Sequence, residues 1–341
     1  MLALELIEED SRLSLHGINL TGLAGKTVLI TGASGIIGTH FLYGLRHCQK
    51  ELGLPMQVQA VVRTEVPAHL LPLQQDGSVN FVVGDLTDTE FAQSLAPADC
   101  VVHAATYGQP NLFMAEAIGT LKLNTAVTLL LLEKLRPSGK FLFLSTSEVY
   151  SGIEAGPFHE GQIGISNTTH PRSCYIESKR CGEAICNAFR TGGVNAKSAR
   201  LALAYGPGTR RGDKRVLNSF IERALTQKSI TLLDDGAAGR TYCYIADAVH
   251  MLWRILLDGT APIYNVGGTS STTIASLARL VGELIQVPVH FPTTKKEGLV
   301  GAPANVSLNL DKFFAEFGPM PFTDLRTGTT RTIAWQRGLY L

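Results

Sequence analysis

The sequence predicts an α/β fold, a doubly wound parallel sheet with a smaller, interleaved C-terminal region. Short apolar runs rich in β-branched residues alternate with helix-periodic segments through the first 205 residues. The first run ends in a glycine-rich turn that opens a helix. Strands that are apolar on both faces are typical of parallel sheets covered by helices on each side.

The predicted elements follow in order from Lys26. Strands are expected, as short apolar runs, at 26–32, 57–63, 79–85, 99–105, 140–147 and 195–205. Helices are expected at 35–48, 87–95, 113–135 and 175–191. Before them, Leu2, Leu4, Leu6 and Ile7 alternate with acids and indicate a short amphipathic helix that packs on the body or on a partner.

Composition and charge exclude several classes of protein. Of the 341 residues, 45% are apolar and 17% charged, which excludes a disordered or collagen-like chain. The 30 basic and 29 acidic side chains give a net charge of +1, so we expect no nucleic-acid partner. The six cysteines form no CxxC pair, and we expect no metal site. A signal peptide and a membrane-length apolar run are both missing, so we expect a cytoplasmic protein without membrane contact.

The turn after the first strand has the spacing of a dinucleotide-binding loop. Gly32 permits a tight turn, Gly35 lets the backbone approach a pyrophosphate, and Gly38 allows close helix packing. The following helix offers free N–H groups and a partial positive charge to phosphates. The pattern predicts a Rossmann dinucleotide site with contacts from Gly32, Ser34, Gly35, Ile36, Ile37 and Gly38.

The adenosine end of this site leaves two interpretations open. Arg63 follows the second strand, where a carboxylate usually accepts the 2′-hydroxyl of NAD. An arginine there can pair with a 2′-phosphate and favour NADP, or it can stack on the adenine or point to solvent. Asp85 is a candidate partner for the adenine amino group, and further cofactor contacts are expected from Leu86, Ala104 and Ala105.

A tyrosine and a lysine four residues apart carry the predicted chemistry. Tyr175 and Lys179 share one face of a helix after the fifth strand. A free phenol has a pKa of about 10, and a nearby ammonium and an oxidised nicotinamide favour its phenolate form. Thr146 and Ser147 end the fifth strand at the ligand-binding edge of the sheet. Glu148 can remove or return a carbon-bound proton next to a ketone, or bind loop N–H groups.

Taken together, these residues resemble the extended short-chain dehydrogenase/reductase superfamily, in its nucleotide-sugar epimerase/dehydratase branch. Seven motifs occur in the family's order over about residues 26–270: TGASGIIG, HAA, STSEVY, YIESK, YGPG, GRTYCYIAD and YNVG. Within the branch, STSEVY, HPRSCYIESKR and Arg215-Val216 look most like UDP-glucuronate decarboxylases. We divide the chain into an extension at 1–25, a dinucleotide-binding domain at 26–205 and a mainly substrate-binding region at 206–341.

The resemblance implies an enzyme that uses NAD or NADP, more often NAD, to oxidise C4 of a nucleotide-linked hexose. Tyr175 and Lys179 would act at C4, and Glu148 would transfer the C5 proton in an epimerisation or dehydration. Arg215, Val216 and Arg240 match positions that hold the nucleotide-diphosphate sugar. The family also implies a homodimer built from helices 113–135 and 175–191.

Other outcomes stay open. A decarboxylase carries an arginine for the sugar carboxylate in the stretch that corresponds to 301–307, and this chain has none there. The alternatives are a UDP-glucuronate decarboxylase-like activity, a 4-keto-sugar reductase, or a non-catalytic dinucleotide-binding sensor or scaffold. We interpret His103 as a packed histidine. The basic cluster of Arg210, Arg211, Lys214 and Arg215 is interpreted as a collar for the substrate diphosphate.

Overall fold

The computed structural model describes residues 3–292 and 305–341. Its helices are α1 (Ala3–Leu13), α2 (Ile36–Lys50), α3 (Leu71–Gln75), α4 (Thr89–Ser94), α5 (Pro110–Ala115), α6 (Ala117–Asn124), α7 (Ala126–Glu133), α8 (Ser173–Thr191), α9 (Val216–Gln227), α10 (Ile245–Asp258), α11 (Ile274–Ile285), α12 (Asp311–Phe317) and α13 (Leu325–Tyr340). Its strands are β1 (Thr27–Thr31), β2 (Gln57–Val62), β3 (Asn80–Val83), β4 (Ala98–His103), β5 (Leu135–Thr146), β6 (Asn195–Leu201), β7 (Leu203–Tyr205), β8 (Ile230–Thr231), β9 (Gly239–Tyr244), β10 (Ile263–Val266), β11 (Ser270–Thr273), β12 (Val289–His290) and β13 (Asn305–Val306).

Seven parallel strands form the central sheet in the order β3-β2-β1-β4-β5-β6-β10. Every residue of β1 is buried, as expected for a strand covered on both faces. The strand order reverses between β1 and β4, which opens a crevice outside the carboxyl ends of the strands. The predicted doubly wound parallel sheet is confirmed.

A second sheet gathers β11, β9 and β13, and β7 pairs with β9 at its side. The prediction of one strand over 195–205 is therefore wrong. β6 ends at Leu201 in the central sheet, and Ala202 donates its N–H to the carbonyl of Val266 at 2.8 Å. From Leu203 the chain pairs with β9 instead, because it leaves the central sheet at its carboxyl edge. The chain later returns to the central sheet as β10.

The predicted helix over 113–135 is also wrong as a single element. The backbone leaves helical geometry at Glu116 (φ −107°, ψ 46°) and is distorted at Thr125 (φ −119°, ψ −79°), which separates α5, α6 and α7. The Thr125 hydroxyl donates to the carbonyl of Leu121 at 2.7 Å, and Thr128 donates likewise to Asn124 at 2.9 Å. Such hydroxyls compete with the backbone ladder and bend helices.

The expected N-terminal helix is confirmed as α1, which packs on the body of the protein. Leu6 and Ile7 are buried. Asp10 is fully buried and accepts hydrogen bonds from the Tyr244 hydroxyl at 2.6 Å and from Arg331 at 2.8 Å. Across the described residues, helices are too short or too polar to span a bilayer.

A buried ion pair joins α8 to β6. Arg200 and Glu183 are 3% and 5% exposed and form two N–H···O bonds of 2.9 and 2.8 Å. The remaining guanidinium nitrogen donates to the hydroxyl of Tyr150 at 2.9 Å and to the carbonyls of Glu160 and Gln162 at 3.1 and 3.0 Å. One guanidinium therefore fixes α8 and the loop that follows Tyr150.

We expect Arg200→Met to lower the free energy of unfolding by about 3–5 kcal/mol, because it leaves the Glu183 carboxylate buried without its cation. Urea unfolding would measure the loss. Arg326→Met is the matched control, since Arg326 pairs with Glu283 at 2.9 Å on the surface and should change stability little. Equal losses for the two variants would contradict this role of the buried pair.

Candidate active site

The glycine-rich turn after β1 forms a cradle that only glycine permits. Gly32 has φ +67°, and a Cβ there would lie 2.5 Å from the carbonyl oxygen of Ala104 and 2.7 Å from the nitrogen of Ala105. A Cβ on Gly38 would lie 2.6 Å from the carbonyl oxygen of Gly32. The turn is thus pressed between the end of β4 and the start of α2.

The start of α2 is open to an anion. Gly35 is its N-cap, and among the described residues its end is capped by no side chain. The first N–H groups of the helix, at Ile36 and Ile37, therefore face the crevice side without a capping acceptor. Together with the narrow turn, this arrangement fits the pyrophosphate of a dinucleotide.

At the adenosine end, Arg63 has a partner that the sequence interpretations did not include. Its guanidinium donates to the hydroxyl of Tyr107 at 2.5 Å and lies 5.3 Å from the centroid of that ring. The carboxylate of Asp85 accepts the N–H of Thr87 at 2.8 Å, and Leu86 is buried beside it. The structure places these residues on the loops after β2, β3 and β4, along one edge of the sheet.

His103 is a packed, neutral histidine, as predicted. Burial lowers its pKa to about 4. Its Nε2 lies 2.9 Å from the carbonyl of Leu123, so this nitrogen carries the proton. Nδ1 then accepts the Thr31 hydroxyl at 2.7 Å. These two hydrogen bonds hold the ring between Thr31 of β1 and Leu123 of α6.

Tyr175 and Lys179 lie in the first two turns of α8, which begins at Ser173. The Tyr175 ring is 8% exposed and stacks on Phe113 with centroids 4.4 Å apart. Its phenol forms a hydrogen bond with Thr146. Lys179 Nζ donates to the carbonyl of Leu144 at 2.5 Å and lies 5.9 Å from the Tyr175 ring centroid. The structure therefore brings the predicted tyrosine, lysine and threonine together.

Burial, rather than the neighbouring amine, dominates the charge state of this pair. It raises the pKa of Tyr175 to about 12, opposed by the hydrogen bond with Thr146. It also lowers the pKa of Lys179 to about 7. The expected phenolate stabilised by the lysine is therefore not the state of the protein alone, because both charged forms are poorly solvated at this depth.

Glu148 is held by an arginine that the sequence analysis did not single out. Arg172 forms an ion pair with the Glu148 carboxylate and lies 5.6 Å from the centroid of the Phe113 ring. Burial raises the pKa of Glu148, and the Arg172 charge opposes this rise. The available signal was a basic residue three positions before Tyr175. Ser147 is half-buried beside the pair.

The second sheet and the loop before α9 bring further cations to the same place. Arg215 pairs with Asp213 at 2.5 Å and is close enough to Tyr175 to lower the phenol pKa. Arg240 lies on β9 within electrostatic reach of Glu148. Val216 begins α9 and is 40% exposed. The structure therefore brings Arg215 near Tyr175 and Arg240 near Glu148, and Val216 follows Arg215 in the chain.

The basic cluster does not act as one collar. Arg215 lies near Tyr175, whereas Arg210 donates to the carbonyl of Ser34 at 3.2 Å in the glycine-rich turn. Arg211 lies over the ring of Tyr340, 5.2 Å from its centroid. The structure therefore does not gather the cluster into one collar, because Arg210 turns towards Ser34 and Arg211 towards α13.

Comparison with known proteins identifies the family. The profile of the NAD dependent epimerase/dehydratase family matches residues 28–267. The chain belongs to this family. It is similar to UDP-glucuronic acid decarboxylase 1 of Xenopus tropicalis, 30% identical over 76% of this chain and 60% of the relative, so it spans about three-fifths of that protein. The predicted superfamily and branch are confirmed.

Two other family members match over nearly their whole length. The dTDP-4-dehydro-6-deoxy-D-allose reductase of Streptomyces bikiniensis is 31% identical over 92% of this chain and 97% of its own. The dTDP-glucose 4,6-dehydratase of Streptomyces venezuelae, solved with NAD bound, superposes with a TM-score of 0.77 at 26% identity, covering 92% of this chain and 97% of that one. The two family members catalyse different reactions on nucleotide sugars. The stretch 301–304, which bears on decarboxylation, lies outside the described residues.

The low pKa of Lys179 yields a pH dependence of stability. Its pKa is about 7 when folded, against an ordinary value of 10.5, so between pH 7 and 10 the unfolded chain binds a proton that the folded chain lacks. This group therefore makes the protein more stable as pH rises. Lys179→Met removes the cost of burying this amine. We expect the variant to be more stable than the parent, by an amount that is largest at pH 7 and shrinks towards pH 10.

Urea unfolding at four pH values across this range measures the difference. Lys50→Met, on the exposed end of α2, is the control and should keep a constant difference from the parent. A constant difference for Lys179→Met as well would show that the amine is not desolvated.

Proposed function

We propose that this family member is an NAD-dependent nucleotide-sugar-modifying enzyme of the epimerase/dehydratase type. The observation that carries the proposal is the convergence at the carboxyl edge of the sheet. There the Tyr175 phenol bonds to Thr146, and the Glu148–Arg172 pair lies beside it. Catalytic groups in doubly wound folds occupy this edge, next to the dinucleotide.

In the proposed first step, the Tyr175 oxygen takes the proton of the sugar C4 hydroxyl. Thr146, whose side chain bonds to the phenol, would also bond to the sugar C4 hydroxyl and orient it towards the Tyr175 oxygen. NAD, when bound, supplies the hydride acceptor and a positive charge that favours the phenolate. Lys179 lies 5.9 Å from the ring centroid, and Arg172 and Arg215 supply the positive charge that lowers the phenol pKa.

Glu148 would act in the second step, on the C5 proton that a C4 ketone acidifies. Arg172 keeps its carboxylate oriented and opposes the effect of burial on its pKa. Arg215 and Arg240 would hold the substrate diphosphate, for which the guanidinium fork suits bidentate contacts. Val216, exposed at the start of α9, would line the same pocket.

We propose NAD as the cofactor, held by Gly32, Ser34, Gly35, Ile36, Ile37 and Gly38 with Arg63, Asp85, Leu86, Ala104 and Ala105. The uncapped start of α2 supports a bound pyrophosphate, and the related Streptomyces venezuelae dehydratase was solved with NAD. All six cysteines carry free thiols, which supports a reducing, cytoplasmic setting.

We also propose a homodimer through α6, α7 and α8. This face exposes large apolar side chains: Ile118 is 68% exposed, Leu121 37% and Leu129 42%. The neighbouring face of α8 exposes the small residues Cys181 and Ala184. Contiguous apolar surface of this kind marks an interface, and a second copy would match apolar helix against apolar helix.

A second candidate is a 4-keto-sugar reductase. The full-length similarity to the Streptomyces bikiniensis reductase favours it. The same Tyr175 and Thr146 would then protonate a ketone instead of deprotonating an alcohol. Net consumption of NADH or NADPH with a ketosugar would establish this reaction, and release of CO₂ from UDP-glucuronate would establish a decarboxylase.

We expect Tyr175→Phe to lower turnover by about 100- to 10,000-fold, because it removes the acid–base group at C4. Purified protein with NAD is assayed against UDP-, GDP-, dTDP- and CDP-sugars by mass spectrometry. Tyr264→Phe is the control, since its hydroxyl bonds to Glu316 away from the crevice at 2.6 Å. Full activity of Tyr175→Phe on a sugar that the parent converts would remove Tyr175 from the mechanism, and a parent that binds NAD but converts none of the sugars would favour the non-catalytic sensor or scaffold.

Glu148→Gln separates the two steps in the same assay. We expect this variant to lose deuterium exchange at C5 while it still reduces NAD transiently with the sugar. If the variant keeps both the deuterium exchange at C5 and the transient reduction of NAD, Glu148 has no part in the mechanism, and the proposed C4 chemistry is unaffected.

We expect Ile118→Lys to shift the protein from dimer to monomer, because it places a charge in the middle of the apolar face. Light scattering after size-exclusion chromatography measures the mass. Leu52→Lys is the control, since Leu52 is 49% exposed just after the end of α2, and this variant should leave the dimer intact. A monomeric parent would refute the dimer.

A further inference from the structure

The loop between β7 and α9 crosses the crevice and reaches the glycine-rich turn. Arg210 donates through Nε to the carbonyl of Ser34 at 3.2 Å and through Nη2 to the Ser34 hydroxyl, 176 residues away in the sequence. Its guanidinium therefore lies on the rim of the cradle, next to the uncapped start of α2.

The C-terminal helix holds this loop in place. Trp335 of α13 is buried and donates its indole N–H to the carbonyl of Thr209 at 2.8 Å. The N–H of Gly212 donates to the hydroxyl of Tyr340 at 2.7 Å. The residues on both sides of Arg210 are thus anchored, so the guanidinium is presented from a fixed backbone.

The charges around Arg210 are unbalanced. The nearby Asp213 carboxylate forms a 2.5 Å ion pair with Arg215. Within the described part of the chain, Arg210 and Arg63 contact only the neutral acceptors Ser34 and Tyr107, and neither forms an ion pair. Partial burial and the repulsion of the Arg63 guanidinium lower the pKa of Arg210, and the Asp213 charge opposes this shift. Two cations and a helix N-terminus around one opening favour an anion there.

We propose that Arg210 clamps a phosphate of the bound dinucleotide from the rim of the cradle, beside the start of α2, and that Tyr340 positions this clamp. The inference rests on the proposed dinucleotide function. Ser34 lies between Gly32 and Gly35, so the pyrophosphate, common to NAD and NADP, is the favoured partner. The 2′-phosphate of NADP is the other phosphate at this end of the cofactor.

The test measures binding without any sugar. NAD and NADP are titrated separately into parent, Arg210→Gln and Arg211→Gln protein by isothermal calorimetry. Loss of a charge-assisted fork should weaken binding by about 10- to 100-fold in Arg210→Gln. Arg211→Gln is the matched control from the same loop and should bind like the parent, because Arg211 lies over Tyr340.

The two nucleotides distinguish the phosphates. An equal loss for NAD and NADP assigns Arg210 to the pyrophosphate, and a loss confined to NADP assigns it to the 2′-phosphate. Salt should weaken binding less steeply in Arg210→Gln than in the parent, since one ionic contact is gone. Unchanged affinity for both nucleotides would overturn the clamp alone. A parent that binds neither nucleotide would overturn the proposed function with it.

Tyr340→Phe tests the positioning role, since it removes the acceptor of the Gly212 N–H and keeps the ring under Arg211. We expect a several-fold weakening of NAD binding in the parent and no further loss in the Arg210→Gln background. Equal losses in the two backgrounds would show that Tyr340 acts on binding without Arg210.

Discussion

The active-site geometry depends on the buried ion pair between Arg200 and Glu183. Glu183 lies two turns beyond Tyr175 on α8, and it also accepts the hydroxyl of Ser145 at the end of β5 at 2.5 Å. The helix that carries the phenol and the strand that carries Thr146 are thus tied at one carboxylate. Buried charges of this kind are tolerated only where every donor and acceptor is satisfied, so the pair permits one relative position of these elements.

The site around this pair is shaped by desolvation. Burial disfavours both the phenolate of Tyr175 and the ammonium of Lys179. Cations from three separate elements, Arg172, Arg215 and Arg240, surround the same space and favour negative charge there. The proposed nucleotide-sugar substrate suits this field, because its diphosphate would bring anionic groups to the arginines.

The loop between β7 and α9 contacts the glycine-rich turn and also reaches the surroundings of Tyr175. Its first arginine, Arg210, contacts Ser34 in the glycine-rich turn, and its last, Arg215, lies near Tyr175. Because α13 anchors the loop between them, the positions of these two cations are coupled. Members of this family with similar motifs run different reactions, and such loops, rather than the sheet, are where their pockets can diverge.

Local sequence determined the parallel sheet, the glycine-rich turn and the shared helical face of Tyr175 and Lys179. The spacing of Gly32, Gly35 and Gly38 and the apolar β-branched runs required a parallel sheet with a nucleotide cradle, because strand burial and backbone approach are encoded in neighbouring residues. The Tyr175–Lys179 spacing likewise placed both groups on one helical face. Only the tertiary structure decided which distant charges meet. In the folded chain, Arg172 pairs with Glu148 and Arg210 contacts Ser34. The predicted helix is interrupted at Thr125, and the chain from Leu203 pairs with β9 in the second sheet. Burial and long-range contacts set these outcomes, and neither can be read from a short window of sequence.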